Sequence, residues 1–168
     1  MIDGSHKKRG KFGFMKSFQE HYPDEYAVCY GCGRLNEHGL SIKSYWEEGE
    51  SVCRFKPEPF HTGGYNFVYG GLIASLMDCH GAATASAEKH RREGRAYGKG
   101  MFTRFVTASL HVDYLSPVPI DDTIVLRAKV NEVKGRKSVV EMTLDVNGKA
   151  RAKGKMVAIQ MPDNFLNS

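Results

Sequence analysis

One acidic residue, Asp78, stands in the otherwise uncharged run from Tyr69 to Ala87, and two glycines, Gly70 and Gly71, open that run. A carboxylate in apolar surroundings is a candidate general base or nucleophile, because its charge is costly to bury unless it is paired or hydrogen-bonded. A structural aspartate bonded to backbone or to a neighbouring threonine is the alternative. Glycines at a helix start leave N–H groups without intrahelical partners at the positive end of the helix dipole. That is a cradle for a carbonyl oxygen becoming an oxyanion, and glycine lets a substrate approach the backbone. Gly-Gly also occurs for tight loop packing alone. Asp78 lies eight residues beyond Gly70, about 12 Å along a helix axis. One helix cannot bring both groups to one small reacting centre. If both serve one site, the second group comes from another copy of the chain, as in a symmetric dimer.

The element that must carry Asp78 is a long helix. Leu72, Ile73, Leu76, Met77, His80, Ala83, Thr84 and Ala87 recur at helical spacing, and Gly71, Ala74, Ser75, Ala82 and Ala85 form a second stripe of small residues. Neither face is charged, so the spacing predicts a helix covered on nearly all sides. Arg91, Arg92 and Arg95 close it at the negative end of the dipole, and Gly94 stops it. Before the helix, alternation from Leu40 to Trp46 and from Val52 to Lys56 predicts two strands about a turn at Glu47–Glu50. The stretch from Pro57 to Tyr69 reads as a loop. After it, Met101–Tyr114, Thr123–Val133, Ser138–Val146 and Ala150–Met161 predict four strands in a meander, with Lys134–Lys137 and Asn147-Gly148 as hairpin turns. Strands segregated around one apolar helix indicate an α+β fold with an antiparallel sheet curled about the helix.

The chain has 168 residues, 41% hydrophobic, with a formal net charge of +5. It is long enough for one domain with a real core. We divide it into a basic N-terminal extension, residues 1–27, and a domain over 28–168. The leader His6-Lys7-Lys8-Arg9-Gly10-Lys11 supplies part of the charge, and a short helix is expected near Lys16–His21, ended by Pro23. No apolar run reaches the ~18–20 residues of a membrane span, and the charged start lacks the apolar core of a secretory signal. A cytoplasmic location, with no membrane and no nucleic-acid partner, is expected, since the basic tail carries no recognisable nucleic-acid module.

Four cysteines do not make a disulfide framework at this length. Cys29 and Cys32 form half of a zinc pattern, which His38, His61 or Cys53 would have to complete. Reduced thiols packing a loop are the favoured reading, and no cofactor or metal is expected. Cys79, beside Asp78, has no sequence neighbour that would activate it. His80 and His111 read as bonded core residues.

The run Tyr-Gly-Gly-Leu-Ile-Ala-Ser-Leu-Met-Asp, residues 69–78, resembles the His-Gly-Gly-x-x-x-x-x-x-Asp signature of hotdog-fold acyl-CoA thioesterases of the PaaI-like group. Leu110–Pro117 resembles that family's strand ending in Tyr-x-x-Pro. Cys29-Tyr30-Gly31-Cys32-Gly33 with His38-Gly39-Leu40 is similar to an entry segment found in some members. The resemblance covers roughly residues 28–161. It implies the hotdog fold, a six-stranded antiparallel sheet around a central helix, in a homodimer or a dimer of dimers. It implies thioester hydrolysis, with Asp78 as base or nucleophile and the Gly70 amide, helped by Gly71, polarising the carbonyl. Thr107 stands where relatives have a Ser or Thr that positions the water or the carboxylate. Tyr69 replaces the usual His, and Gly63 the usual Asn; Asn66 and His61 are the candidate polar substitutes. For the phosphates of CoA, Lys134, Arg136 and Lys137 are the first candidates and Arg91, Arg92 and Arg95 the second. The same cations also read as solvated surface. Two other readings remain: a non-catalytic acyl-CoA binding protein, and a dehydratase or hydratase on the same fold.

Overall fold

The computed structural model describes residues 16–162. The basic leader, with Phe12 and Phe14, lies outside the described residues. One helix, α1 (Gly70–Arg92), packs on a six-stranded antiparallel sheet, the α+β hotdog arrangement that the resemblance implies. The strands are β1 (Ser44–Glu47), β2 (Glu50–Phe55), β5 (Phe105–Tyr114), β6 (Ile124–Lys134), β7 (Lys137–Val146) and β8 (Lys149–Gln160). A small second hairpin, β3 (Thr62–Gly64) and β4 (Phe67–Val68), occupies the segment expected to be loop. The turns are as their residues demand: Asn147 and Gly148 have φ of 51° and 74°, both positive, as a two-residue hairpin turn requires.

The four later strands are not a plain meander. The order across the sheet is β1-β2-β6-β7-β8-β5, so β5 lies at the far edge, paired with β8, and β6 pairs with β2. Pro117 and Pro119 explain the break, because neither can donate to a ladder. The connection through them crosses below the start of α1 instead. There Val68 donates to the Val118 carbonyl at 2.8 Å and Ile120 to that of Asn66 at 2.9 Å. Tertiary contacts therefore hold the segment entering the helix.

The core lies between sheet and helix. Leu72, Ile73, Leu76 and Met77 of α1 meet Leu126, Val140, Leu144 and Met156 of the sheet, all buried. His80 is a bonded core residue, its Nδ1 2.8 Å from Ser44 Oγ, and burial pushes its pKa down to about 4. His111 is the reverse of the expectation: it is exposed on β5, 3.0 Å from Asp113. The helix is also less covered than its lack of charge suggests. Gly71, Ala74, Ser75 and Ala82 are only half-buried, and so is Asp78 between them. The sheet covers one side of a helix; only loops remain for the other.

Of the N-terminal segment, the described part packs against the domain. Phe18 and Tyr22 are buried; the short helix expected near Lys16–His21 is a 3-10 helix at Phe18–His21, and a second follows at Asp24–Tyr26. Leu40 and Ile42, expected in the first strand, bond instead to the cysteine loop, donating to the carbonyls of Tyr30 and Gly31 at 2.8 and 3.0 Å.

Candidate active site

Asp78 lies at the middle of α1 and opens on a cleft of about 190 Å³ between the helix, the start of β5 and the N-terminal segment. Its Oδ1 accepts a hydrogen bond of 2.5 Å from Thr107 Oγ1. That short contact follows from a defect in the ladder. The register between β5 and β8 shifts between Thr107 and Ser109, a bulge that leaves Ala108 unpaired. Bulges re-aim side chains; here Thr107 Oγ1 also lies 3.9 Å from Sδ of buried Met156, on the helix side of the sheet. A carboxylate held by a hydroxyl in a partly enclosed cleft can direct its second oxygen at a water or an acyl carbon.

The glycines lie at the other end of the same helix. Among the described residues, neither the Gly70 nor the Gly71 amide donates to an acceptor. Tyr69 caps the helix without a side-chain hydrogen bond, and its ring lies across Gly71, where an added Cβ would meet Tyr69 Cε1 at 2.3 Å. Tyr114 Oη donates to the Gly70 carbonyl at 3.0 Å, so the carbonyl is engaged while the amide is left available. His61 and Asn66 do not line the Asp78 cleft of their own chain. His61 Nδ1 accepts from the Glu58 amide at 2.9 Å, and Asn66 borders a separate depression with Thr62 and Ile120.

Lys134, Arg136 and Lys137 sit in the β6–β7 turn. Their end of the sheet is also the Thr107 end: Lys137 pairs with Ile159 and Ile159 with Val106, while Ser138, Ala158 and Thr107 form the next row. Among the described residues, none of these three cations is in an ion pair. The second set is already engaged, Arg91 and Arg92 with Glu88 and Arg95 with Glu93.

Three groups of the cleft were not expected. Arg104 lines it, its guanidinium 4.7 Å from the Tyr26 ring. Aromatic residues Tyr22, Phe102 and Phe105 form part of its wall. Cys79 joins Cys29 and Cys32, all three sulfurs lying within 4.8 Å of one another. His38, His61 and Cys53, the partners expected for the cysteine pair, are not in this cluster. Hydrogen bonds from Cys32, then Cys79, hold the Cys29 thiol well below the usual thiol range, and Cys32 and Cys79 are pushed up in turn. No sequence signal marked Cys79 as the third thiol, since it is 50 residues from Cys29.

A groove of about 540 Å³ lies elsewhere, on the outer sheet face. Glu50, Arg127, Lys129, Glu141, Lys153 and Lys155 line it. Interleaved charges of both signs are the solvated side of strands, and Asp78 is not among them. Among the described residues, no helix is long and apolar enough to cross a membrane.

Known proteins share this architecture. The family model described as thioesterase superfamily matches residues 65–149. A thioesterase superfamily protein from Shewanella loihica is 42% identical, the match covering 84% of this chain and 100% of that one with a TM-score of 0.63. Acyl-coenzyme A thioesterase THEM4 of Xenopus laevis is 34% identical over 90 residues, 54% of this chain and 35% of that protein. The PaaI protein of E. coli, from the phenylacetic acid degradation operon, is alike in fold, with 19% identity over 73% of this chain and 81% of that one and a TM-score of 0.60. The chain spans only 35% to 52% of the length of the THEM4 and THEM5 proteins that it matches.

Proposed function

The chain belongs to the thioesterase superfamily, and from that premise we propose that it hydrolyses an acyl-CoA thioester to the free acid and CoA. The observation that carries this reading is the Asp78–Thr107 pair in its cleft. Thr107 holds one carboxylate oxygen. The other takes a proton from water as the water attacks the thioester carbonyl, and returns that proton to the sulfur as the C–S bond breaks, so that CoA leaves as the thiol. Alternatively it attacks that carbon itself, expelling a thiolate that takes a proton from solvent and leaving a mixed anhydride on Asp78, which a water then hydrolyses to the free acid. The Gly70 amide, with Gly71 beside it, stabilises the oxyanion.

The two halves belong to different subunits. Asp78 and Gly70 are about 12 Å apart along one helix, so a complete site needs the Gly70 end of a second copy. Strand β5 supports this: among the described residues it is a ten-residue edge strand, with β8 on one side only. An unpaired edge of that length is a template for pairing, and a two-fold axis beside it would extend the sheet from one protomer into its partner. Tyr69, His61 and Asn66 would then line the partner's acyl site, where the aromatic residues Phe60, Tyr65 and Phe67, all exposed in one protomer, suit a bulky acyl group. Lys134, Arg136 and Lys137 would take the CoA phosphates. Four free cysteines suit a reducing compartment such as the cytoplasm.

Thiol release from short, medium, long and aryl acyl-CoAs, with wild type and Asp78→Asn side by side, tests the reading. Turnover of at least one substrate, lost in Asp78→Asn, upholds it. Tight acyl-CoA binding without thiol release would identify a binding protein, with Tyr69 in place of His as the residue responsible.

A further inference from the structure

The three sulfurs beside Asp78 have no part in thioester hydrolysis as described. Cys29 and Cys32 come from the loop before β1 and Cys79 from α1, so sequence-distant elements converge on one point. We propose that Cys29, Cys32 and Cys79 bind one thiophilic divalent cation, Zn2+ being the natural probe, with a fourth coordination position open to the cleft that Asp78 and Thr107 share.

The spacing carries the argument. Four-coordinate zinc with Zn–S bonds of about 2.3 Å places its sulfurs about 3.8 Å apart. A disulfide needs them at about 2.0 Å. Cys29 Sγ and Cys79 Sγ are 3.9 Å apart, and the three sulfurs all lie within 4.8 Å of one another. They are at ligand spacing, wider than the separation of a formed disulfide.

The loop is built to hold them there. A Cβ at Gly31, between the two loop cysteines, would lie 2.2 Å from Cys79 Sγ. A side chain there would push the Cys79 sulfur out of the cluster. A Cβ at Gly33 would meet the Ala27 carbonyl at 2.4 Å and the Cys29 backbone at 2.5 and 2.6 Å. The turn is closed by Gly33 N–H donating to the Cys29 carbonyl at 2.8 Å. Arg104 on the same cleft offsets the surplus negative charge of three thiolates around a dication. Three protein ligands with one position left open is the pattern of zinc sites that admit water or a ligand. Each ligating thiol gives its proton to solvent, and no oxidant or reductant is involved.

The test uses the full chain, reduced and stripped of metal by a chelator, then titrated with Zn2+ in competition with a chromophoric chelator. Co2+ substitution gives a second readout through thiolate-to-metal charge-transfer absorption. One ion per chain is expected. Cys79→Ser should weaken binding by at least about 100-fold, since losing a ligand costs more than the ~10–100-fold typical of outer-shell changes. Cys53→Ala, altering a buried thiol outside the cluster, should leave it unchanged. Should Cys79→Ser fail to fold, Cys29→Ser on the half-buried loop position carries the same expectation. Absence of stoichiometric binding, or binding that survives loss of Cys79 or Cys29, overturns the proposal. So does a Cys29–Cys79 disulfide whose reduced form takes up no Zn2+. None of these readouts requires turnover, so the outcome is independent of the thioesterase reading.

Discussion

Replacing Thr107 by valine removes one hydroxyl and keeps the branched shape of the side chain. In the structure that hydroxyl donates to Asp78 Oδ1 at 2.5 Å. A hydrogen bond to a charged group contributes about 1.5–3 kcal/mol when its loss leaves the partner unsatisfied. Asp78 is half-buried and Thr107 lies on the exposed part of β5, so water replaces part of what is lost. That brings the expected loss below the middle of this range and partly under it, to about 1–2 kcal/mol. At 1.36 kcal/mol per decade this is a loss of about 5–30-fold in kcat/KM. It should fall on kcat rather than KM, because the bond aims the carboxylate and does not hold CoA. Thiol release over a range of acyl-CoA concentrations measures both, and a thermal melt checks that Thr107→Val folds as wild type does. Thr107→Ser keeps the donor and should recover most of the activity. The reasoning is refuted if Thr107→Val loses less than about twofold in kcat/KM while Asp78→Asn is inactive, or if serine serves no better than valine.

If Asp78 and Gly70 of one site come from two subunits, Asp78→Asn and a Gly71→Ala variant, whose new Cβ displaces the exposed Tyr69 ring lying across the helix start, should each lose most activity alone. Their co-expression should restore about a quarter of wild-type activity, because half of randomly assorted dimers carry one intact site of two; no recovery in verified mixed dimers refutes the shared site. Replacing Lys134, Arg136 and Lys137 together by alanine should raise KM for acyl-CoA about 5–10-fold, the sum expected of three exposed ionic contacts. KM for the matching acyl-pantetheine, which lacks the nucleotide phosphates, should not change, and an equal rise for both would exclude phosphate binding by this turn. Glu88, only 5% exposed, is raised by burial, but hydrogen bonds from Arg91 and Arg92 outweigh this and hold its carboxyl below the ordinary value. Its stabilising effect is therefore present above the ordinary carboxyl range and lost as pH falls through the lowered folded-state value. Glu88→Gln should melt below wild type at pH 7, with the gap closing below about pH 4; a gap independent of pH would show that the charge is not the cause.

The elements of the site were legible because their signals are local. Asp78 was marked by being the one charge in a helical run, and α1 was bounded by Tyr69-Gly70 and by the cations before Gly94, features set within a few residues by spacing and capping. The hairpins were legible for the same reason, their turn residues having few alternatives. The strands begin later than Leu40 and Met101 because the backbone there finds partners outside the sheet: Leu40 bonds to Tyr30 of the cysteine loop, and the Thr103 carbonyl accepts from Ser86 of α1. Alternation of side chains carries no information about which acceptor a backbone amide will find.

By itself, then, the amino-acid sequence determined that this chain makes one long helix with a lone carboxylate in its apolar part, packed on antiparallel strands, with two glycines at its entry. Those are consequences of period and of backbone sterics. Only the tertiary structure decided that β5 lies at the far edge beside β8, that a bulge turns Thr107 onto Asp78, and that Gly31 seats Cys29 and Cys32 against Cys79. Each of these joins residues far apart in the chain. Such contacts depend on which strand edge remains free once the core has closed, and no local pattern records that.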